Sequence, residues 1–133
     1  MESKKIKISA NNNEFTATLS NNSSGESFYN FLKKGPLTID MSDYGNFEKV
    51  GDLPQKFPTN DKQIKTKPGD IILYLGDKIT IYYGSNSWNF TLLGRIDNCE
   101  NIDLKKALGK GNINVTFSVQ NFFILFFFFF KEY

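Results

Sequence analysis

The residues able to do chemistry in this chain are few, and two absences bound the choice. None of the 133 residues is histidine. That removes the commonest general base, the usual zinc ligand and every Ser-His or Cys-His nucleophile pair. Cys99 is the lone cysteine, so no internal disulfide forms. No basic neighbour in sequence activates its thiol, which reads as buried or idle. Arg95 is the lone arginine. It is the single candidate for any step that needs a guanidinium. Its two readings are an anion contact in a pocket and a structural fastener to Asp97 or a loop aspartate. Asp40, Asp43 and Asp52 lie close in sequence, but a carboxylate-pair hydrolase needs a specific separation between its groups. In a polar stretch they read as solvated turn formers. Gly109-Lys110-Gly111 lacks the glycine spacing and the Lys-Ser/Thr end of a phosphate loop, and reads as a helix stop.

Binding is better served. Met41, Asp43, Tyr44, Phe47 and Lys49 fall on or beside a long polar segment, and Tyr82, Tyr83 and Trp88 border the turn Ser85-Asn86-Ser87. Aromatic rings with polar tips gathered at one rim make a ligand surface. The candidate set is therefore Met41, Asp43, Tyr44, Phe47, Lys49, Tyr83, Trp88 and Arg95. For Tyr83 and Trp88 the plainer alternative is core or rim packing. No metal set and no cofactor motif is present in the sequence, so neither is expected.

Composition sets the frame. A chain of this length is one domain with a single core. The net charge is +2 with both signs interspersed, which is no footprint for nucleic acid. The opening MESKKIKISA has no apolar h-region. It is not a secretory signal, and a cytoplasmic monomer is the expectation.

The positioning elements are mostly strands. Residues 5–9 and 14–19 alternate apolar and polar around Asn11-Asn12-Asn13, which predicts a hairpin with a tight turn. Ser23 and Glu26 make a capping box ahead of Phe28, Phe31 and Leu32, one face of a short helix that Gly35-Pro36 ends. Residues 37–41 alternate again. Residues 42–60 are polar and hold Gly45, Gly51, Pro54 and Pro58, so they read as mostly loop. Residues 71–75 and 78–83 pair across Gly76-Asp77, and residues 88–97 form another strand. Asp103 caps a second short helix over 104–108. Residues 112–119 alternate cleanly, with Ile113, Val115, Phe117 and Val119 inward. The sum is about seven strands and two short helices, a mainly β chain closed as a barrel with plugged ends.

Phe122–Phe130 holds seven of the fourteen phenylalanines. Its nine apolar residues fall short of the roughly twenty needed to span a bilayer as a helix. Two readings compete: a tail outside the domain, with the domain at 1–120 and the tail at 121–133, or an anchor for a membrane interface or partner. Free in water the run is an aggregation hazard.

Taken in order, these pieces resemble the cyclophilin-like superfamily. PLTIDMSDYGNFEK at 36–49, PGDIILY at 68–74 and LGRID at 93–97 are similar to a group of small, mostly bacterial cyclophilin-like proteins, over residues 4–120. The resemblance implies a closed cyclophilin-like β-barrel with two short helices. Cyclophilin prolyl isomerases carry an arginine on the strand after the first helix and a histidine in a later loop. Residues 37–46 contain no arginine and the chain has no histidine. Arg95 matches the strand lysine of the family's Gly-Lys-Val segment instead. With these departures, and with the aromatic residues at the Met41–Lys49 segment and Trp88, the chain reads as a non-catalytic binding module for a peptide or small ligand. The alternatives are a weak prolyl isomerase, with Lys49 supplying charge without the fork geometry of arginine, and an accessory protein of a flavodoxin-type redox system.

Overall fold

The computed structural model describes residues 3–120. The Phe-rich run and the 121–133 boundary lie outside the described residues. The described chain forms nine strands and two α-helices. The strands are β1 (Lys5–Ala10), β2 (Asn13–Leu19), β3 (Leu37–Tyr44), β4 (Glu48–Asp52), β5 (Lys62–Lys65), β6 (Asp70–Tyr74), β7 (Lys78–Tyr82), β8 (Ser87–Ile96) and β9 (Ile113–Val119). Helix α1 is Ser23–Leu32 and α2 is Leu104–Leu108. Eight strands pair antiparallel in the order β2-β1-β9-β3-β4-β7-β6-β8, and β8 returns to β2, which closes the barrel. Closure leaves the eight without a free edge. β5 stands outside the ring. It pairs only with the first four residues of β8, Ser87–Phe90.

Local chemistry explains the joints. Asn11 and Asn12 both take positive φ (49° and 63°) between the paired residues Ala10 and Asn13. That is the two-residue hairpin turn that asparagine tolerates best. Helix α1 starts one residue earlier than the capping box predicts. Asn22 is the N-cap, and its side chain accepts from the Gly25 N–H at 2.8 Å. Ser23 is the first helical residue and instead accepts from the Asn60 amide at 2.8 Å.

The inward faces of the barrel strands form one apolar core with Phe28 and Leu32 of α1 and Leu104 and Leu108 of α2. The Phe28 ring meets Phe57 and Phe117 edge-on at 5.6 and 6.0 Å. α1 follows the Leu19 end of β2, whereas the Ala107 carbonyl of α2 accepts from the Asn11 and Asn13 amides at the hairpin turn. The helices therefore plug opposite ends.

The segment read as mostly loop contains β4, and β3 extends beyond Met41 to Tyr44. β4 escapes a search for alternating apolar residues because its inward positions are Lys49 and Gly51. At Gly51 a Cβ would lie 2.6 Å from the Asp40 carbonyl oxygen and 2.6 Å from Ile39 Cγ2, so the close approach of β3 excludes a side chain. A second apolar cluster lies on the outer face of the wall formed by β4, β7, β6 and β8. It is built on Ile72, Tyr82 and Phe90, with Phe47, Ile64, Tyr74 and Leu92 against it.

Candidate functional site

Side chains alternate across a strand, so β4 sends consecutive residues to opposite faces. Lys49 enters the barrel and has no exposed side-chain area. At the end of the barrel that α2 plugs, its ammonium meets the Asp43 carboxylate at 2.8 Å and donates to the Gly111 carbonyl at 2.5 Å. Asp43 also accepts from the Gly111 N–H at 2.7 Å and the Tyr83 hydroxyl at 2.9 Å. Burial works against ionisation of Asp43. The Lys49 ammonium, the Gly111 N–H and the Tyr83 hydroxyl outweigh it and hold the carboxyl below its ordinary value. Burial first, and the Asp43 hydrogen bond second, push Tyr83 up to about 12. A shallow recess of about 480 Å3 lies beside this cluster, with Asp43, Tyr83, Lys105 and Lys110 in its lining.

Glu48 points the other way, to the outer face. There Phe47 stacks on Tyr82, with centroids 5.8 Å apart and planes 4° from parallel, while Tyr44 meets Phe47 edge-on at 6.3 Å. Tyr82 continues to Phe90 at 6.1 Å, and Phe90 to Tyr74 at 5.9 Å. Such pairs contribute about 0.5–1.5 kcal/mol each beyond the area they bury. Beside this row is a cavity of about 350 Å3, walled by Tyr44, Tyr74, Trp88 and Phe90. That is the lower part of the range for small-ligand pockets. Trp88, the only tryptophan, stands 59% exposed, so it is a rim residue and not core.

Two buried polar groups line the same cavity. Glu48 is only 7% exposed, and its carboxylate accepts one hydrogen bond, from the Tyr82 hydroxyl at 3.2 Å. Burial pushes its carboxyl up to about 7, against a smaller downward pull from Tyr82. Burial likewise pushes the Tyr82 phenol up. Thr80 is 3% exposed, and its hydroxyl has no hydrogen-bond partner among the described residues. Native interiors rarely leave a buried hydroxyl unpaired. The register pairs Glu48 with Tyr82 and Val50 with Thr80, which makes Glu48 and Thr80 diagonal neighbours on one face. Asn86 and Lys78 complete the polar lining. The Lys78 ammonium is engaged by Asp52 at 2.9 Å and Asp77 at 3.6 Å.

The eight candidates from the sequence are thus divided. Tyr44 and Trp88 line the outer cavity, and Phe47 supports it from behind. Asp43 and Tyr83 border the recess near α2, with Lys49 buried beneath them. Met41 is 1% exposed within the barrel core and reaches neither space. Arg95 donates to Asp70, its cross-strand partner, and lines neither cavity. Asp97 accepts from Lys5 at 2.9 Å and Thr18 at 2.8 Å instead. Glu48 and Thr80 were not candidates. Their signal is visible only once β4 is known to be a strand, because alternation then puts Glu48 on the face of Tyr82. Cys99 is buried against Gly69, and burial pushes its thiol up. Among the described residues no three His, Cys, Asp or Glu side chains gather to hold a metal ion, and no helix is long and apolar enough to cross a membrane.

The solution structure of a hypothetical protein from Archaeoglobus fulgidus is similar to this one. The TM-score is 0.63 at 14% identity, over 89% of this chain and 95% of that one. At that identity the likeness shows the shared fold alone. No protein of curated function matches the chain. The profile of the Cyclophilin-like family matches residues 8–118, well over half of the sequence, and the chain therefore belongs to that family.

Proposed function

We propose that the protein is a non-catalytic binding module whose peptide or small-molecule ligand enters the outer-face cavity between Tyr44 and Trp88. The observation that carries this reading is the combination at one place of aromatic walls and two buried, under-partnered polar groups, Glu48 and Thr80. Apolar walls supply affinity, and a few convergent polar atoms fix orientation. A prolyl isomerase has less support, since the only guanidinium is bonded to Asp70 away from the cavity. A protease-coupled proline-peptide assay tests that alternative: acceleration lost on Lys49→Ala or Arg95→Ala would replace the binding reading with an enzymatic one. The direct test uses Trp88. As the sole tryptophan and a cavity wall, it reports occupancy through its fluorescence. A panel of small aromatic and aliphatic compounds, with a flavin included, should contain members that shift its emission saturably. Trp88→Phe removes the signal, and calorimetry should still detect the same ligands. No saturable shift across the panel would sink the proposal.

A further inference from the structure

We infer that the cavity takes a protonated amine on an apolar body, its N–H groups divided between the Glu48 carboxylate and the Thr80 hydroxyl and its body lying against Tyr44 and Trp88. This rests on the binding reading above and names the chemistry of its ligand.

Three observations carry it. Glu48 is buried without a cationic partner among the described residues. Its one hydrogen bond comes from the neutral Tyr82 hydroxyl, and Lys49, its neighbour in sequence, is on the other face of the strand, bonded to Asp43. A carboxylate in that position is costly until a positive charge joins it. Thr80 supplies a second oxygen with both lone pairs unused. As diagonal neighbours on antiparallel strands, Glu48 and Thr80 have backbones roughly 7–8 Å apart. Both residues line the one cavity, and the nitrogen is placed there, between their side chains. An ammonium with at least two N–H bonds satisfies both, whereas a quaternary ammonium cannot. Finally, aromatic residues line the space, and Trp and Tyr rings attract cations at their faces through the ring quadrupole.

The charged residues that line the cavity, Glu48 and the already paired Lys78, agree with a cationic ligand. The one ammonium of β7, Lys78, is matched by two carboxylates, Asp52 across on β4 and Asp77 in the preceding turn. Tyr44 on β3, Tyr74 on β6 and Tyr82 on β7 bring phenol rings. On β5, Lys62 and Lys65 are exposed. An anionic ligand would meet Glu48 with no free cation among the lining residues to balance it.

Burial holds the Glu48 carboxyl up at about 7. An alkylammonium keeps its charge well above that pH. Its binding therefore strengthens as pH rises through the Glu48 titration, because the charged carboxylate is the form it pairs with.

The test titrates the full chain with phenethylamine and with 2-phenylethanol, its neutral isostere, at about pH 8.5 and about pH 5.5, following Trp88 fluorescence. The amine is expected to bind about tenfold or more tighter at the higher pH, and the alcohol weakly and equally at both. Glu48→Gln should remove the pH dependence and weaken the amine about tenfold while sparing the alcohol. Thr80→Val should weaken the amine several-fold, and Thr80→Ser should restore it. Circular dichroism verifies that each variant folds; if Glu48→Gln does not, the pH comparison on the native chain decides alone. Equal binding of amine and alcohol at both pH values would overturn the inference and leave the binding module standing. Tighter binding of 3-phenylpropionate than of the amine would do the same. Silence from all three probes, by fluorescence and by calorimetry, would count against both. The ammonium has two natural sources, and a further arm separates them: tighter binding of N-acetyl-lysine N-methylamide than of phenethylamine supports a lysine side chain of a peptide, and the reverse order supports a free amine.

Discussion

Glu48 and Lys49 are consecutive, both buried, and opposite in their treatment by the fold. Lys49 has a carboxylate and a backbone carbonyl at bonding distance, and its carboxylate partner is held in turn by Gly111 and Tyr83. Every polar atom in that cluster has a use in the closed barrel. Glu48 has one phenol, an open space in front of it and an unpaired hydroxyl diagonally across. A buried charge with a full set of partners explains itself as structure. A buried acid without them, beside a cavity, is a group that a bound partner would complete, and the proposed binding rests on that. The contrast spans a single peptide bond, so burial by itself does not separate the two residues; the state of their partners does.

The largest expected effect falls on the satisfied side. Asp43→Asn leaves the Lys49 ammonium buried with only a carbonyl and a neutral amide, and should cost about 3–5 kcal/mol in urea unfolding. Lys49→Met leaves Asp43 partly solvated and fills the same space, so its cost should be smaller, about 1–2 kcal/mol. Equal costs would show that the cluster is not a buried charge held by its partner.

On the unsatisfied side the sign should reverse. The folded chain releases the Glu48 proton at about 7 and the unfolded chain at the ordinary 4.5, so native stability falls as pH rises between those values. Glu48→Gln carries no such loss. It should raise stability by about 1–2 kcal/mol near pH 8 and change little near pH 4.5, the figure being discounted for partial access of water. A destabilised variant near pH 8 would contradict the account of Glu48 as an unpaired acid. Thr80→Val, which replaces an unpaired hydroxyl by a methyl of the same shape, should gain about 1 kcal/mol. Smallest of all, we propose that the domain ends near residue 120. Truncation after Gln120 should move the thermal midpoint by only a few degrees and raise soluble yield, because β9 already completes its pairing with β1 and β3. An unfolded truncate would place the boundary elsewhere.

Legibility in the sequence followed the same division. β1, β2, β9 and α1 declare themselves because their inward residues are apolar at regular spacing and their turns use Asn11 and Asn12. Met41 is readable as core on the same grounds, since it continues the alternation of Leu37 and Ile39. β4 is not readable that way: one inward position carries a charge and the next has no side chain. β5, with three polar residues in four, has the composition of a protected edge and no pattern at all. Glu48 and Thr80 stand 32 positions apart, joined only by a β4–β7 register that neither segment encodes alone. Trp88 and Tyr44 are readable as rim aromatics of one surface; that their wall lies on the outer face of the barrel and holds Glu48 and Thr80 is not.

Strand β8 serves two masters along its length, and hydrogen exchange should divide it. Its first four residues are held by β5, while Thr91–Ile96 pair within the closed ring to β6 and β2. Amides in the second part can exchange only when the whole barrel opens. Those near Trp88 need only the short outer strand to lift away. One continuous strand should thus show two exchange regimes, with the break at about Phe90. An occupant of the outer cavity would slow only the faster regime, which gives its residence a clock independent of any spectroscopic change.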